Sequence, residues 1–462
     1  MKRALLVNPP HRSRGFIREG RCQQGVHRWG TVWPPLTLAT CAAVLKRKGW
    51  FVSLHDAPRE GMGVIEVGEL ASELEVDLVL FSSATPTIDQ DICLSSAIKC
   101  RRPRSVVGTL GIHATLFALD VLNSTPALDF ILLGEPEGTL EDLVEHWQPG
   151  DPWIKMPGLM ARDADGQIVD GGRRPFLEDL DQLPLPAWEL LDRGMYKLPL
   201  LGRPFLMAAP SRGCPFPCTF CVAAAFYGKK MRHRSPGHFV DELEKNGKDF
   251  GVWESLFWAE TFTWDKTQVL GICGEIHRRN LPVRWAATSR VDTVDLELFQ
   301  TMKSAGCWMV SFGVESANTE VLDRSRKGQD LRATVEGVRL ARRAGLMTTG
   351  HVMMGLPGDS KRAALSTLRF VRRLPLDFVQ FYCAVPWPGS LLYEQAMEKG
   401  WLHATGWSDY VQDSAVFTEG AMRQVEVERF ARWGARYFYL SPSRLARLAL
   451  WRWNERRGTW FT

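Results

Sequence analysis

Residues 205–222 read FLMAAPSRGCPFPCTFCV and place Cys214, Cys218 and Cys221 within eight positions, directly after a short apolar run. Three clustered thiols are more than a single reactive cysteine needs, and they are one short of the four ligands of a closed zinc site. A Cys-x3-Cys-x2-Cys segment can instead direct three thiolates at one iron–sulfur cube and leave its fourth iron without a protein ligand. This stretch therefore predicts a cluster whose open iron binds a small-molecule chelator.

The cysteine content supports a metal site over disulfides. The start of the chain, MKRALLVNPP, has too short an apolar run for a signal peptide, so we expect a cytosolic protein with ten reduced cysteines. Clustered thiols in that compartment are more typical of metal binding than of disulfides. Zinc remains the alternative, but His233 and His238, the nearby candidates for a fourth ligand, lack ribbon or finger spacing.

Length and composition indicate a globular protein of two or three domains, because 462 residues exceed one ordinary core. Apolar residues make up 45% and charged residues 24% of the chain. The net charge of +5 is mild and does not indicate a nucleic-acid partner. No window reaches the roughly 18 apolar residues that would span a bilayer.

The first part of the chain alternates short apolar runs with amphipathic segments, which predicts a doubly wound parallel α/β domain over residues 1–147. In such sheets the ligand lies at the carboxyl ends of the strands. Residues 9–35 interrupt the alternation with glycine, proline and basic residues, and a loop of that length is usually functional or disordered. Residues 148–204 predict a small hairpin followed by a linker.

The second part, residues 205–390, predicts six strand–helix repeats and hence a partial (β/α)6 barrel with its active site at the carboxyl strand ends. We place its strands near residues 206–210, 255–260, 284–289, 308–313, 347–353 and 378–384. Residues 391–462 predict a helical tail rich in arginine and tryptophan, with Trp433, Trp451, Trp453 and Trp460. This tail predicts either peripheral membrane contact or a packed helix with a solvated basic face.

The cysteine spacing, with an aromatic residue before the last cysteine, resembles the signature of the radical S-adenosylmethionine (SAM) enzymes. Segments at later strand ends are similar to those of the same family. The resemblance implies a [4Fe–4S] cluster on the three cysteines, which are the catalytic and metal-binding residues. It also implies SAM contacts at Phe220, Glu260, Arg290, Ser311, Glu315 and Gly355. A ligand with an amino acid head needs a carboxylate for its ammonium and a cation for its carboxylate, which Glu260 and Arg290 would supply.

The first domain resembles the cobalamin-binding domains of the B12-dependent radical SAM enzymes. The resemblance implies cobalamin contacts at Ser83, Thr85, Gly108, Gly111, His113, Gly134 and Glu135. One departure is the loop after the first strand, where His11 lacks the acidic partner and the spacing of a histidine that ligates cobalt. We therefore expect cobalamin without a protein ligand to cobalt rather than ligation by His11. A nucleotide-binding or empty α/β domain is the alternative, although the chain has no dinucleotide or Walker pattern in its first turn.

Together these features are most similar to the group that contains the anaerobic magnesium-protoporphyrin ester cyclase and the class B methyltransferases. They predict methylation of an unactivated carbon in a large hydrophobic small-molecule substrate, with an external one-electron donor of the flavodoxin or ferredoxin type. A radical oxidative cyclase with the same cofactors is the second hypothesis. A cobalamin- and cluster-binding sensor without turnover is the third. A methylthiotransferase is disfavoured because Cys22, Cys41, Cys93 and Cys100 do not fall in three strand-end loops.

Overall fold

The chain forms two compact units in the computed structural model. The described residues are 1–13, 15–25, 31–147, 155–199 and 201–457, so Trp460 and residues 148–154 lie outside them. The first unit contains Met1–Tyr196, Val222–Gly228 and Gly406–Val411, and the second contains Lys197–Cys221, Lys229–Thr405 and the chain from Gln412 onward. The first unit thus extends beyond residue 147 and includes two short segments from later in the chain.

The first unit is built on a seven-stranded sheet. Its strands are β1 (Arg3–Asn8), β4 (Phe51–Asp56), β5 (Leu78–Ser82), β6 (Val106–Leu110), β7 (Phe130–Leu132), β8 (Leu159–Arg162) and β9 (Ile168–Asp170). They lie in the order β4-β1-β5-β6-β7-β8-β9, and the first five are parallel. The order reverses between β1 and β5, which opens a ligand crevice at the carboxyl ends of these strands. This confirms the predicted doubly wound sheet.

Helices cover both faces of this sheet, which explains why β5 is buried along its whole length. They are α1 (Leu36–Arg47), α2 (Ala57–Glu60), α3 (Val64–Glu73), α4 (Ile88–Asp91), α5 (Cys93–Arg101), α6 (Ile112–Leu116), α7 (Ala118–Ser124) and α8 (Pro136–Glu145). One face of the core includes Leu5, Val79, Phe81, Val107 and Ile131 from the central strands. The apolar runs of the sequence are therefore the buried strands.

Two hairpins modify the predicted outline. The irregular loop expected over residues 9–35 contains an antiparallel hairpin of β2 (Phe16–Glu19) and β3 (Cys22–Gly25). The hairpin expected after residue 148 is present as β8–β9, and β8 pairs antiparallel with β7, so it extends the first sheet. Local composition did not indicate β2–β3 because the hairpin is held by partners distant in sequence.

The second unit contains a six-stranded sheet and a two-stranded ribbon. The strands are β10 (Leu206–Ala208), β11 (Ser211–Arg212), β12 (Arg232–His233), β13 (Glu254–Phe257), β14 (Arg284–Ser289), β15 (Cys307–Glu315), β16 (Met347–Met354) and β17 (Phe378–Cys383). The sheet order is β10-β13-β14-β15-β16-β17 with all neighbours parallel, and β11 pairs antiparallel with β12. Sequential parallel order with helical crossovers confirms the six predicted repeats.

The remaining helices include the crossovers of this sheet. They are α9 (Ala223–Tyr227), α10 (Pro236–Phe250), α11 (Lys266–Arg278), α12 (Leu296–Ser304), α13 (Thr319–Arg324), α14 (Leu331–Arg343), α15 (Lys361–Arg373), α16 (Leu391–Glu398), α17 (Gln424–Tyr439) and α18 (Pro442–Arg457). α10 begins where a cap residue and a first-turn proline predict it, with the Ser235 hydroxyl accepting the His238 N–H at 3.3 Å. In the described part of the chain, no helix is long and apolar enough to cross a membrane.

The two faces of the second sheet differ in chemistry. Val310, Phe312 and Val314 of β15 point into a core that α10–α12, α14, α15 and α17 complete, together with Trp285, which stacks on Phe257 at 4.4 Å. The opposite face, here called the inner face, carries the half-buried alternate residues of β15. The inner face is therefore the surface that the sheet offers to a ligand.

Candidate active site

The three cysteines lie in one loop beyond the carboxyl end of β10. Cys214 is buried, and Cys218 and Cys221 are half-buried. The Cys221 N–H donates to the Cys218 carbonyl at 3.2 Å, so a tight turn holds the last two thiols. Burial raises the pKa of the Cys218 thiol, while the nearby cations of Lys327 and Arg290 lower it. Both cations favour the thiolate, the form that binds iron.

Backbone hydrogen bonds anchor this loop on two sides. The Thr219 N–H donates to the Ser325 carbonyl at 3.0 Å, just beyond α13. The Thr219 carbonyl accepts the Leu392 N–H at 2.8 Å, at the start of α16. Because Thr219 lies between the second and third cysteines, these bonds position the thiols against two helix ends.

The histidines of the zinc alternative have other partners. His233 Nε2 lies 3.6 Å from an Asp265 carboxylate oxygen, and His238 Nδ1 accepts a hydrogen bond from Arg234 Nε at 3.3 Å. Across the described ranges, no three His, Cys, Asp or Glu side chains gather around one metal-ion position, and this includes the three loop cysteines. A cluster on the three thiols stays the prediction from their spacing.

Arg290 connects the end of β14 to the cysteine loop. Its guanidinium lies 3.9 Å from the centroid of the Phe216 ring, and Phe216 stands between the first two cysteines. Arg290 also forms two hydrogen bonds with Asp292, at 2.8 and 2.6 Å. The cation that sequence analysis assigned to the SAM carboxylate thus contacts the loop and a carboxylate of the protein.

Glu315 and Lys327 form a buried ion pair at the end of β15. Lys327 Nζ lies 2.9 Å from Glu315 Oε1, and each side chain is 8% exposed. Burial lowers the pKa of Lys327, but Glu315 and Cys218 together more than offset it, so the pKa is raised overall. A Cβ on Gly313 would lie 2.6 Å from Lys327 Nζ, so a larger residue there would displace the ion pair.

The backbone of Glu315 departs from ordinary strand geometry. Its φ is +58°, in the left-handed region that side chains rarely adopt, and the β15–β16 register shifts between Gly313 and Glu315. Such conformations cost about 1–3 kcal/mol and cluster at functional sites. The strain therefore supports a functional role for this strand end.

The other predicted SAM contacts also lie at carboxyl strand ends or on the inner face. Glu260 follows β13, Ser311 lies on the inner face of β15, and Gly355 follows β16 with φ +84°. Phe220 packs on an apolar cluster that includes Leu356. Arg290 contacts the cysteine loop directly, and Glu315 acts electrostatically on Cys218 beside its partner Lys327, whereas the SAM contacts of all six residues stay predictions.

Sequence analysis did not predict a chain of hydrogen-bonded polar side chains on the inner face. Tyr382 donates a hydrogen bond to Gln380 Oε1, and His351 Nδ1 lies 3.0 Å from the Tyr382 hydroxyl. His351 is the register partner of both Gly313 and Gln380, so the chain runs beside the Glu315 end of β15. The sequence holds only a weak signal for it, because these residues occupy alternate positions on different strands.

The loops after β5 and β6 approach each other closely in the first unit. The Ser83 N–H and hydroxyl both donate to the Leu110 carbonyl, at 2.8 and 2.9 Å. Gly111 has φ +132°, and a Cβ there would lie 2.2 Å from the Ser83 carbonyl oxygen. Gly111 is therefore required by backbone approach, and it shapes the loops in which cobalamin contacts are predicted.

The remaining predicted glycines have different environments. Gly108 lies within β6, where a Cβ would be 2.1 Å from the Phe130 ring, so core packing already explains this glycine. Gly134 has φ +72° and donates its N–H to the Thr115 hydroxyl at 3.0 Å. Gly134 and Glu135 line a cavity of about 210 Å³ together with Ile112, Thr115, Arg173 and Phe226.

Thr85 and His113 are buried beside these loops and fit a polar ligand. Thr85 is 0% exposed and His113 is 2% exposed. Among the described residues, Thr85 Oγ1 and His113 Nδ1 have no hydrogen-bond partner. Buried polar atoms are normally paired, so a ligand with hydrogen-bonding groups, such as cobalamin, suits this position.

His11 is oriented by a hydroxyl and a backbone amide. Its Nδ1 lies 2.7 Å from Ser13 Oγ and accepts the Ser13 N–H at 3.1 Å. A histidine that ligates a metal usually has a carboxylate or carbonyl partner on its other nitrogen. These contacts orient the imidazole ring, and the expectation that His11 does not ligate cobalt stays a prediction.

Similarity to known proteins follows the same division of the chain. The B12 binding domain family model matches residues 25–144, and the Radical SAM superfamily model matches residues 209–371. The chain is 28% identical to the uncharacterized methyltransferase PH0819 of Pyrococcus horikoshii over 89% of each protein. It is 29% identical to the anaerobic magnesium-protoporphyrin IX monomethyl ester cyclase of Cereibacter sphaeroides, over 86% of this chain and 64% of the cyclase.

The fold is similar to that of a solved structure. The radical SAM methyltransferase TsrM from Kitasatospora setae, solved with cobalamin and a [4Fe–4S] cluster bound, aligns with a TM-score of 0.71. The alignment covers 96% of this chain and 90% of TsrM at 16% identity. At that identity the likeness concerns the fold.

Proposed function

Because this chain is a radical SAM enzyme with an N-terminal B12-binding domain, we propose that it transfers a methyl group from SAM, by way of cobalamin, to a carbon atom of its substrate. Its cofactors are a [4Fe–4S] cluster, SAM and cobalamin. The observation that carries the proposal is the three-cysteine loop, which leaves one iron of the cluster for SAM. Similarity to a methyltransferase over 89% of the chain supports methyl transfer.

The protein's own residues position these groups. Cys214, Cys218 and Cys221 would hold the cluster, and Arg290 would fix the loop through Phe216. When bound, the cluster and SAM supply one-electron cleavage of a carbon–sulfur bond and hydrogen abstraction, and cobalamin supplies the methyl group.

The overall reaction needs two electrons from outside the enzyme. A substrate C–H and two SAM molecules would yield the methylated carbon, S-adenosylhomocysteine, methionine and 5′-deoxyadenosine, which receives the substrate hydrogen. Both electrons would be supplied by a donor outside the enzyme. We propose a flavodoxin- or ferredoxin-type donor, in a reducing compartment that keeps the ligand thiols reduced.

For the substrate we propose a large hydrophobic metabolite that carries at least one hydrogen-bonding group. The inner face combines the apolar Met309 and Met353 with the polar chain of His351, Gln380 and Tyr382. The tryptophan content does not add to this proposal, because tryptophans also build the interior: Trp188 and Trp285 are fully buried, and Trp285 belongs to the core of the second unit.

A peripheral membrane contact is part of the same proposal. The first turns and middle of α18 expose apolar side chains at helical spacing, with Leu445 at 53%, Leu450 at 59% and Trp453 at 55% exposure. These positions lie on one side of the helix and alternate with arginines. An enzyme bound to a membrane through this side of α18 would have access to a hydrophobic substrate in the lipid.

The second candidate is a radical oxidative cyclase without methyl transfer, which is favoured by similarity to the magnesium-protoporphyrin IX monomethyl ester cyclase. The third is a sensor that binds the cofactors without turnover. Anaerobic reconstitution with cobalamin and methyl-labelled SAM separates the three. Labelled methylcobalamin with 5′-deoxyadenosine supports methyl transfer, deoxyadenosine without label transfer supports the cyclase, and neither product despite an intact cluster supports the sensor.

The cysteine loop itself is tested with Cys218→Ala. Removal of one of three thiol ligands should lower the bound iron and abolish deoxyadenosine formation, measured by iron content and by chromatography of the products. The control is Cys93→Ala, which changes an exposed cysteine on α5 and should retain both properties. Full deoxyadenosine formation by Cys218→Ala would contradict the assignment of the cluster site.

A further inference from the structure

Two elements of the first unit lie outside the domain that the B12-binding family model matches. The hairpin β2–β3 precedes that domain except for its last residue, and the segment Gly406–Val411 comes much later in the chain. Each contributes a side chain, Gln23 and Trp407 respectively, near the carboxyl ends of β5 and β6. Family similarity therefore assigns no role to either residue.

Three residues of this region each carry a buried, unpaired polar atom. Gln23 Nε2, Thr85 Oγ1 and His113 Nδ1 have no hydrogen-bond partner within the described ranges. Their residues are 2%, 0% and 2% exposed. An unpaired buried polar group costs about 1–3 kcal/mol, so three together indicate a ligand that pairs with them.

Gln23 contacts Thr85 directly, and Trp407 connects His113 to the turn that contains Thr85. The Thr85 N–H donates to Gln23 Oε1 at 2.6 Å. The Trp407 ring meets the His113 ring edge to face, with centroids 4.7 Å apart and an interplanar angle of 78°. The turn that contains Trp407 also packs against the turn Thr85–Thr87. Gln23 and Trp407 thus flank the same loops.

The hairpin that carries Gln23 is firmly held. Arg18 of β2 forms a buried ion pair with Asp91 at 2.7 Å and donates to Asn8 Oδ1 at 2.9 Å. Asn8 ends β1, and Asp91 ends α4, which follows the loop after β5. Because the sheet order reverses between β1 and β5, Arg18 fixes the hairpin at the ligand crevice.

The chemistry of the site favours a neutral, planar, hydrogen-bonding group. Gln23 and Thr85 are uncharged, and burial lowers the pKa of His113 to about 4, so its ring is neutral at pH 7. Trp407 and Phe117, 5.2 Å apart, add aromatic surface beside His113. Such a buried position suits the nucleotide base and ribose of cobalamin, whereas the wide corrin ring requires an open surface.

We propose that Gln23 and Trp407 complete, with Thr85 and His113, the site for the benzimidazole nucleotide tail of cobalamin. The proposal rests on the cofactor of the proposed function and adds two residues and a part of the ligand to it. A tail bound here leaves its base away from the cobalt.

The test compares binding of cobalamin with binding of cobinamide, which lacks the nucleotide tail, by the full-length apoprotein. Gln23→Leu and Trp407→Ala should each weaken cobalamin binding about tenfold, equivalent to one lost buried interaction, and leave cobinamide binding within about twofold. Matched controls are Gln24→Leu on the same hairpin and Trp433→Ala, a 43% exposed tryptophan on α17. Both controls should bind both ligands like the wild type.

A spectroscopic readout accompanies the affinities. In the wild-type cob(II)alamin complex, electron paramagnetic resonance should show no nitrogen coupling to cobalt, and the two test variants should gain a fraction with such coupling. Trp407→Phe keeps an aromatic ring at this position, and it replaces Trp407→Ala as the test variant if Trp407→Ala does not fold. Equal loss of both ligands, or unchanged cobalamin binding, would overturn the proposal. A wild type that binds neither ligand would instead overturn the proposed function.

Discussion

At the scale of single residues, the Glu315–Lys327 pair is the strongest indication of a constrained functional site. A buried ion pair adds little to stability, because the cost of removing two charges from water rivals their attraction. Glu315 additionally adopts a left-handed backbone conformation. An ion pair that adds little stability, sits at a left-handed strand end and has a cation that acts on Cys218 supports the prediction that a ligand binds beside it.

Substitution of this pair separates stability from binding. Lys327→Met should lower the free energy of unfolding by about 3–5 kcal/mol, because it leaves the Glu315 carboxylate buried without a counter-ion. The double variant Glu315→Gln with Lys327→Met should recover most of that stability in denaturant titrations, yet bind SAM more weakly than the wild type.

The control is Lys245→Met, which removes an exposed ion pair with Asp249 and should change neither property. If the double variant bound SAM like the wild type, the pair would serve the fold alone.

At the scale of elements, the turn after β16 combines glycines with a buried carboxylate. The Asp359 carboxylate accepts the N–H groups of Gly355 and Ser360, both at 2.9 Å. A Cβ on Gly355 would lie 2.8 Å from Val427 of α17, so the turn is closed by that helix. Burial raises the pKa of Asp359 to about 6, because desolvation outweighs these two hydrogen bonds.

This raised pKa makes the turn sensitive to pH. The folded state holds a proton on Asp359 more tightly than the unfolded state does, so the contribution is fully present below pH 4 and is lost as pH rises through about 6. Asp359→Asn keeps the group neutral but presents one acceptor oxygen where the carboxylate presents two. The unfolding temperature of the variant minus that of the wild type should still be higher at pH 8, where the wild-type carboxylate is charged, than at pH 5. If the difference in unfolding temperature between variant and wild type did not change with pH, the raised pKa of Asp359 would be refuted.

At the scale of the whole molecule, the C-terminal helix is attached by a residue that the basic composition of the tail would place in solvent. Arg444 is 5% exposed, lies 3.8 Å from the Phe438 ring centroid and donates to the carbonyls of Leu374 and Phe438 at 3.2 and 3.3 Å. Arg444 thus attaches α18 to the rest of the second unit, while Leu445, Leu450 and Trp453 remain exposed.

The exposed side of α18 predicts binding to lipid surfaces. The full-length protein should sediment with vesicles that contain anionic lipid, and combined replacement of Leu445, Leu450 and Trp453 by serine should abolish sedimentation. Leu119→Ser, at a 53% exposed leucine of the first unit, is the matched control and should sediment like the wild type. If the wild type stayed in the supernatant, α18 would have a structural role only.

The sequence by itself determined the features that depend on neighbouring residues. Thiol spacing within one loop predicted the cluster ligands, and short apolar runs located strands such as Arg284–Ser289. The cap residue Ser235 and the first-turn proline Pro236 marked the start of α10. These signals are local, because a loop, a strand or a cap is specified by a few consecutive side chains.

Only the tertiary structure decided which distant residues meet. It placed Phe216 and Asp292 on Arg290, buried Lys327 beside Glu315, and brought Trp407 into the first unit. Desolvation and packing depend on every element around a side chain, so neither a residue's type nor its spacing reports them. The chemistry of the cluster loop was therefore readable from the chain, whereas the residues that hold and tune it emerged only from the fold.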